Sequence, residues 1–255
     1  MICRQYHMSS IGRGVLESGM KKTRHPVAIV TGAGSGIGRA VAVGLGAKGY
    51  RLVLVGRRLD LLKETGASLG KEDVDWVAVS ADIARHEDRM KIIEQGKRFG
   101  CLDAVVNNAA LGTCKKLGDL SEVEIEALFA VNATGPIALV RLALPDLIKS
   151  RGCVVNVASV AMLDPFVGLG VYGCTKAAVD GLTRAIHNEY GEQGVRAYTI
   201  APGAVETAML RSIVSEEILP QADTLSPEQV GEKIIACVTG EVSEPAGSTM
   251  VINSP

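Results

Sequence analysis

The stretch that decides the fold is residues 27–40, which read Val27-Ala28-Ile29-Val30-Thr31-Gly32-Ala33-Gly34-Ser35-Gly36-Ile37-Gly38-Arg39-Ala40. An uninterrupted apolar run such as 27–30 is typical of a parallel strand covered on both faces. The glycines that follow let the backbone turn sharply and let its N–H groups approach a phosphate without a Cβ in the way. A helix that begins after this turn directs the positive end of its dipole at the phosphate. The stretch therefore predicts a strand, a phosphate-binding turn and a helix.

The alternation of strands and helices continues along the chain. Further apolar runs predict strands at 52–55, 76–79, 102–106, 154–157, 196–200 and 250–252. Helix-length segments lie between them at 37–48, 59–68, 85–98, 121–149, 172–190 and 227–238. This order predicts an α/β fold, a single doubly wound Rossmann domain over residues 25–255 with a seven-stranded parallel sheet flanked by helices. In this context the glycine turn indicates dinucleotide binding, whereas an isolated one could be an ordinary tight turn.

Composition narrows the class of protein. The 255 residues include 27 Lys+Arg and 28 Asp+Glu, a formal net charge of −1, and 47% are hydrophobic. The near-neutral charge argues against nucleic acid or an anionic membrane as the main partner. The apolar runs are shorter than the roughly 20 residues that span a bilayer. The six cysteines form no Cys-x-x-Cys pair, so we expect no metal site and reduced thiols in a cytoplasmic compartment.

Residues 1–24 differ from the rest of the chain because they carry five basic residues and one acidic residue. Such a segment could be an organellar transit peptide. A disordered tail, or an upstream start with Met20 as the alternative beginning, is the simpler interpretation. We therefore treat residues 1–24 as an N-terminal extension outside the predicted domain.

The residues at the end of the second predicted strand indicate which form of the ribose, that of NAD or that of NADP, the dinucleotide carries. Gly56-Arg57-Arg58 stands where a carboxylate would hydrogen-bond the 2′-hydroxyl of NAD. Asp60 comes later and suits the start of a helix better. Because a guanidinium matches a phosphate in geometry and charge, Arg57 favours NADP, with NAD still possible. The alternative is a solvated arginine pair at a helix start.

Further motifs follow the glycine turn in a fixed order. They are Ala81-Asp82-Ile83, Asn107-Asn108-Ala109-Ala110, Val131-Asn132-Ala133-Thr134-Gly135, Ser159 followed by Tyr172-Gly173-Cys174-Thr175-Lys176, and Pro202-Gly203 with Thr207. Together with the Gly32-x-x-x-Gly36-x-Gly38 spacing, they resemble the short-chain dehydrogenase/reductase family in its short soluble branch. The likeness covers about residues 26–253. It implies an oxidoreductase that transfers a hydride between NADP(H) and a carbonyl or secondary alcohol.

The resemblance also implies where the cofactor lies. Asp82 corresponds to the residue that contacts the adenine ring, and the segment beginning at Pro202 to the one that cradles the nicotinamide carboxamide. The residues expected to contact the cofactor are Gly32, Gly34, Ser35, Gly36, Ile37, Gly38, Arg57, Asp82, Ile83, Asn108, Ala109, Tyr172, Lys176, Pro202, Gly203, Val205 and Thr207.

The expected catalytic residues are Asn132, Ser159, Tyr172 and Lys176. Tyr172 and Lys176 are four residues apart, so on a helix they lie one turn apart on the same face. A free tyrosine has a pKa of about 10, and a nearby ammonium together with an oxidised nicotinamide lowers it. Tyr172 then exchanges a proton with the substrate oxygen, to which Ser159 donates a hydrogen bond. The resemblance further implies that Lys176 binds the ribose and that Asn132 holds a relay water.

The chain departs from the family pattern at several positions. Ala110 replaces a glycine, and Tyr198 and the tail 251–255 differ from many relatives. We expect position 198 and the tail to affect packing or subunit contacts rather than chemistry. Gly135-Pro136 lies inside a predicted helix and predicts a kink just after Asn132.

The substrate is the least determined feature. Residues 208–225 form a candidate lid of mixed apolar and charged residues, which favours an alcohol or ketone with a hydrocarbon body, while sugars and acyl thioesters stay open. The resemblance implies a homodimer or homotetramer formed through the helices near 121–149 and 172–190. A non-catalytic dinucleotide-binding sensor or scaffold is the alternative function. A nucleotide-sugar epimerase or dehydratase is disfavoured by the glycine spacing.

Overall fold

Seven strands form where the apolar runs predict them. They are β1 (Val27–Thr31), β2 (Arg51–Gly56), β3 (Trp76–Ser80), β4 (Leu102–Asn107), β5 (Cys153–Val157), β6 (Arg196–Pro202) and β7 (Thr249–Ile252). The computed structural model describes residues 24–69 and 74–254. Of the predicted N-terminal extension only Arg24 falls within these ranges, and its guanidinium lies 2.5 Å from the Asp103 carboxylate.

The strands form one sheet in the order β3-β2-β1-β4-β5-β6-β7. Every neighbouring pair is parallel. The strand order reverses between β1 and β4, and in such sheets ligands bind at the carboxyl ends of the strands beside this reversal. The predicted α/β fold with a seven-stranded parallel sheet is confirmed.

The helices of the described residues fill the segments between the strands. They are α1 (Gly36–Ala47), α2 (Leu59–Ala67), α3 (His86–Lys97), α4 (Glu122–Phe129), α5 (Gly135–Ser150), α6 (Gly170–Tyr190), α7 (Ala208–Arg211) and α8 (Pro227–Thr239). A π-helical turn over Ala130–Thr134 joins α4 to α5. Pro136 lacks an N–H, so the regular hydrogen-bond ladder cannot pass through it. The helix is therefore irregular directly before the Gly135-Pro136 step where we predict a kink, and the irregular turn carries Asn132.

The sheet is buried on both faces. Along β1, Ala28 and Val30 face one apolar cluster, which includes side chains of α1 and α8. Val27 and Ile29 face the other cluster, which includes side chains of α3, α5 and α6. All four side chains are fully buried. This two-sided burial explains why the strands read as continuous apolar runs rather than alternating ones.

The continuous helical stretch Glu122–Ser150 is long and apolar enough to cross a membrane by length and composition, and an 18-residue window within it has a mean hydropathy of 1.6. Its second half, α5, packs on β4. Leu139, Ala143 and Leu147 are fully buried in the cluster on that face of the sheet. Burial in the core accounts for part of the apolar character of this stretch, since 44% of its apolar window is buried.

Candidate active site

The glycine turn between β1 and α1 is closed by backbone contacts. A Cβ on Gly38 would lie 2.2 Å from the Gly32 carbonyl oxygen, and Gly32 and Gly36 have φ of +68° and +51°. A side chain at these positions would therefore clash or strain the backbone. Ser35 precedes the first residue of α1, and its hydroxyl makes no capping hydrogen bond. The turn thus presents backbone, one serine hydroxyl and a helix N-terminus to a ligand.

Asn108, directly after β4, stabilises this turn by hydrogen bonds. Its Nδ2 donates to the Thr31 carbonyl at 2.9 Å. The Thr31 hydroxyl accepts from the N–H groups of Asn108 at 2.9 Å and Ala109 at 3.1 Å, and it donates to the Val106 carbonyl at 3.1 Å. The Asn108 amide therefore holds the glycine turn against β4.

A cleft of about 900 Å³ opens above the carboxyl ends of the strands. Every residue expected to contact the cofactor lines it except Gly38, which lies behind the turn. Ser159, Tyr172 and Lys176 line the same cleft, whereas Asn132 does not. The structure therefore brings three of the four expected catalytic residues to the expected cofactor site.

The arginines after β2 lie at the edge of the cleft. Arg57 and Arg58 are both exposed and line it, and within the described residues neither forms an ion pair with a carboxylate. Asp60 lies in the first turn of α2, as expected. On the neighbouring loop, Asp82 accepts a hydrogen bond from the Ala84 N–H at 3.0 Å. The two guanidinium groups are thus available to an anionic ligand.

Lys176 and Tyr172 lie together on α6. The Lys176 ammonium is buried, donates to the Val157 carbonyl at 2.8 Å, and lies 5.6 Å from the centre of the Tyr172 ring. Burial lowers the pKa of Lys176 to about 8. Burial also raises the pKa of Tyr172 to about 12, although a hydrogen bond with the Ser159 side chain acts in the opposite direction. Among the chain's own groups, desolvation of the phenolate dominates the pKa of Tyr172, and the lowering expected from Lys176 together with an oxidised nicotinamide stays a prediction.

Ser159 directly follows Ala158 at the end of β5 and begins a short 3₁₀ turn, Val160–Met162. Its hydroxyl oxygen accepts from the Ala161 N–H at 3.2 Å. A serine hydroxyl has one proton to donate and two lone pairs to accept with. With the backbone N–H on one lone pair, the hydroxyl proton of Ser159 remains able to point into the cleft.

Asn132 makes its contacts inside the protein. Its Oδ1 accepts from the Leu111 N–H at 2.7 Å, and its Nδ2 donates to the Leu111 carbonyl at 2.9 Å and to the Thr175 hydroxyl at 3.1 Å. Thr175 in turn donates to the Tyr172 carbonyl at 2.7 Å. Sequence reasoning missed Thr175 and Leu111, although Thr175 stands directly before Lys176. Asn132 thus connects a cleft-lining loop to the helix of Tyr172.

Comparison with known proteins identifies the family. The sequence model of the short chain dehydrogenases matches residues 26–218, a span that contains the glycine turn and all four expected catalytic residues. The chain belongs to the short-chain dehydrogenase family.

The relatives of this short-chain dehydrogenase agree in name and fold. Uncharacterized oxidoreductases of Staphylococcus epidermidis and Staphylococcus aureus are 36% identical over 194 residues and 31% identical over 215 residues. The alignments cover 74% and 84% of this chain and 82% and 90% of those proteins. A solved short chain dehydrogenase/reductase family protein has a TM-score of 0.80 at 28% identity, covering 89% of this chain and 95% of its own.

A second solved structure shows a bound cofactor. The 3-ketoacyl-(acyl-carrier-protein) reductase from Brucella melitensis, complexed with NADH, has a TM-score of 0.83 at 25% identity, and the match covers 89% of this chain and 96% of that one. Together with family membership, this supports the function class of the present short-chain dehydrogenase. It is an NAD(P)-dependent oxidoreductase.

Proposed function

We propose that this protein transfers a hydride between NADP(H) and a carbonyl or secondary alcohol, with Tyr172 as the general acid/base. The observation that carries the proposal is the meeting of Tyr172, Ser159 and the buried ammonium of Lys176 in the cleft that the glycine turn also lines. A dinucleotide sensor or scaffold, the alternative function, needs the glycine turn but not this group of side chains.

The residues of the cleft fit a dinucleotide, and Tyr172 transfers the proton of the reaction. Gly32, Gly34, Ser35 and Gly36 of the turn line the cleft, which suits a diphosphate that needs close approach of N–H groups. A bound nicotinamide supplies or accepts the hydride. Tyr172, whose pKa is raised to about 12, holds its proton at neutral pH and gives it to the carbonyl oxygen during reduction.

Ser159 and Lys176 assist this transfer. Ser159 donates a hydrogen bond to the substrate oxygen as negative charge develops on it. Lys176 provides a positive charge beside the phenol and binds the ribose hydroxyls of the cofactor. Asn132 belongs to a proposed water relay behind Lys176, where it would act as an acceptor because both of its amide hydrogens are donated to Leu111 and Thr175.

The preference for NADP rests on Arg57. Its exposed side chain lies at the cleft edge after β2, with no carboxylate in the motif Gly56-Arg57-Arg58. We expect Arg57→Ala to weaken NADPH binding by about 10- to 100-fold, because a charge-assisted contact is lost, and NADH binding by less than about twofold. Titration of wild type and variant with both cofactors tests this. A wild type that binds NADH more tightly than NADPH would show that the assignment is wrong.

The apolar lining of the cleft supports a substrate with a hydrocarbon body. Around Ser159 and Tyr172 the lining residues are uncharged apart from Lys176, and they include Leu111, Val160, Phe166, Met209, Ile213 and Ile218. We therefore propose a small-molecule alcohol or ketone as substrate, in a cytoplasmic setting.

Val123, Phe129 and Ile137 on α4 and α5 are exposed, which supports the proposed homodimer or homotetramer.

Tyr172→Phe tests the catalytic assignment. The variant keeps the ring and removes the hydroxyl, so we expect kcat to fall by about 10²- to 10⁴-fold, while the Kd for the cofactor changes by less than about threefold. A panel of ketones and alcohols, monitored by the absorbance of NADPH and of NADH, supplies the substrate. Tight cofactor binding without turnover of any panel member by the wild type would favour the sensor or scaffold.

A further inference from the structure

The segment after β7 folds back onto the segment expected to cradle the nicotinamide. The Ser254 hydroxyl oxygen lies 2.9 Å from the Ala204 nitrogen, whose N–H it accepts, and 3.3 Å from the Ala204 carbonyl oxygen, to which it donates. Gly203 donates to the Ile252 carbonyl at 2.8 Å. A Cβ on Gly203 would lie only 2.5 Å from the Ser254 oxygen. The tail therefore packs within the same chain and directly against the cleft wall, whereas Tyr198 is a core residue.

The hydrogen bonds of the segment 203–207 show what the tail changes. The N–H groups of Gly203 and Ala204 are taken by Ile252 and Ser254. From the other side, the Leu225 carbonyl accepts from the Glu206 N–H at 2.9 Å. In the part of the chain that the structure describes, the N–H groups of Val205 and Thr207 have no partner. Two donors are thus left along a cleft-lining segment whose other donors are already satisfied.

The backbone of Ala204 forms hydrogen bonds with two other segments of the chain. Its carbonyl accepts from the Leu225 N–H at 2.9 Å as well as from the Ser254 hydroxyl. A hydroxyl group can accept from an N–H and donate to a carbonyl, so one serine satisfies both backbone groups of Ala204. An alanine at position 254 would leave the Ala204 N–H without its acceptor, directly before the cleft-lining Val205.

We propose that Ser254 is a positioning residue for the nicotinamide end of the cofactor. The Ser254 hydroxyl occupies the N–H and carbonyl groups of Ala204. The backbone N–H groups of Val205 and Thr207 are then the donors left to the carboxamide oxygen of the nicotinamide, and they fix its orientation. Ser254 acts through Ala204 and does not touch the reacting atoms. This inference rests on the proposed nicotinamide site at Pro202–Thr207.

The experiment compares two ligands that differ in the nicotinamide. NADPH contains it, and 2′-phospho-ADP-ribose lacks it. In Ser254→Ala we expect the Kd for NADPH to rise by about 5- to 10-fold, because the nicotinamide cradle is less preorganised when Ala204 loses its partner. We expect the Kd for 2′-phospho-ADP-ribose to change by less than about twofold. Ser254→Thr keeps the hydroxyl and should restore NADPH binding, and Ser243→Ala, which removes a hydroxyl that donates to Glu244, should leave both Kd values unchanged.

The ratio of the two Kd values decides the outcome even if Ser254→Ala lowers Tm, because a general loss of structure weakens both ligands together. Equal weakening of both ligands, or no weakening of NADPH, overturns the positioning role. These measurements use binding alone. A failure of the proposed reaction would appear separately, as wild-type protein that binds NADPH and turns over no substrate.

Discussion

The floor and the outer walls of the cleft are built differently. In the floor, Gly38 packs on the Gly32 carbonyl with no space for a Cβ, and Asn108 fixes the same turn to β4. In the outer walls, Phe166, Val167 and Ile218 are 73%, 79% and 78% exposed. The floor is held by backbone against backbone, and the walls present apolar side chains that the described residues leave largely uncovered.

The walls are joined to one another at few points. The Lys115 N–H donates to the Gly168 carbonyl at 3.0 Å, and a Cβ on Gly112 would contact Ile213 at 3.0 Å. The floor, by contrast, is fixed by contacts within the chain, so we expect it to have its shape before the dinucleotide binds and to be specific for it. The walls are expected to take their final arrangement from the substrate, since exposed apolar side chains gain free energy only when something covers them.

Gly38→Ala should have the largest effect, because it disrupts the floor. The added methyl group would lie 2.2 Å from the Gly32 oxygen and 2.6 Å from Asn108 Nδ2, so the turn must move. We expect the Kd for NADPH to rise on the order of 100-fold and Tm to fall. Gly118→Ala is the matched control, since a Cβ there meets nothing within 4 Å. Unchanged NADPH binding in Gly38→Ala would show that the floor is more adaptable than its contacts indicate.

The pH dependence of carbonyl reduction should be the next largest effect. It arises from Lys176, which lines the cleft together with Tyr172. Its pKa is lowered to about 8, so it loses its proton as the pH rises through that value. We expect kcat/KM to fall about tenfold per pH unit above it. The Tyr172 pKa, at about 12, lies outside this window. Stopped-flow or steady-state rates between pH 6 and 10 measure the profile, with Tm recorded at each pH.

Lys176→Arg provides the control for that profile. Arginine stays protonated over the whole range, so whatever rate the variant retains should show no fall between pH 7 and 10. If the fall persists in Lys176→Arg, another group causes it, and the role assigned to the Lys176 ammonium is wrong.

The fold and the floor could be predicted from the sequence because both depend on residue types at fixed spacing. Continuous apolar runs specify parallel strands that are buried on both faces. Glycines mark where backbone meets backbone, and the four-residue spacing of Tyr172 and Lys176 places them on one face of α6. The interruption at Asn132 could also be predicted, since Pro136 cannot continue the ladder.

The remaining features depend on contacts between distant segments. Ser254 bonds Ala204 from the end of β7, and Thr175 bonds Asn132 across two helices. No local pattern predicts either bond. The raised pKa of Tyr172 depends on how far the surrounding segments remove the phenol from solvent, which is a property of packing. Spacing shows which side chains meet, and packing determines their electrostatics.

Phe166→Ala should have the smallest effect, and one confined to the wall. Phe166 is largely exposed, so a substrate gains free energy by covering it, but it is only one of several apolar side chains that line the walls. We expect KM for 2-decanone to rise about fivefold and KM for 2-butanone and Kd for NADPH to change by less than about twofold. Leu117→Ala removes a side chain that is 72% exposed and lies outside the cleft lining, so it should change none of these values. A change in NADPH binding in Phe166→Ala would mean that walls and floor are coupled, and equal changes for both ketones would mean that Phe166 does not contact the hydrocarbon body.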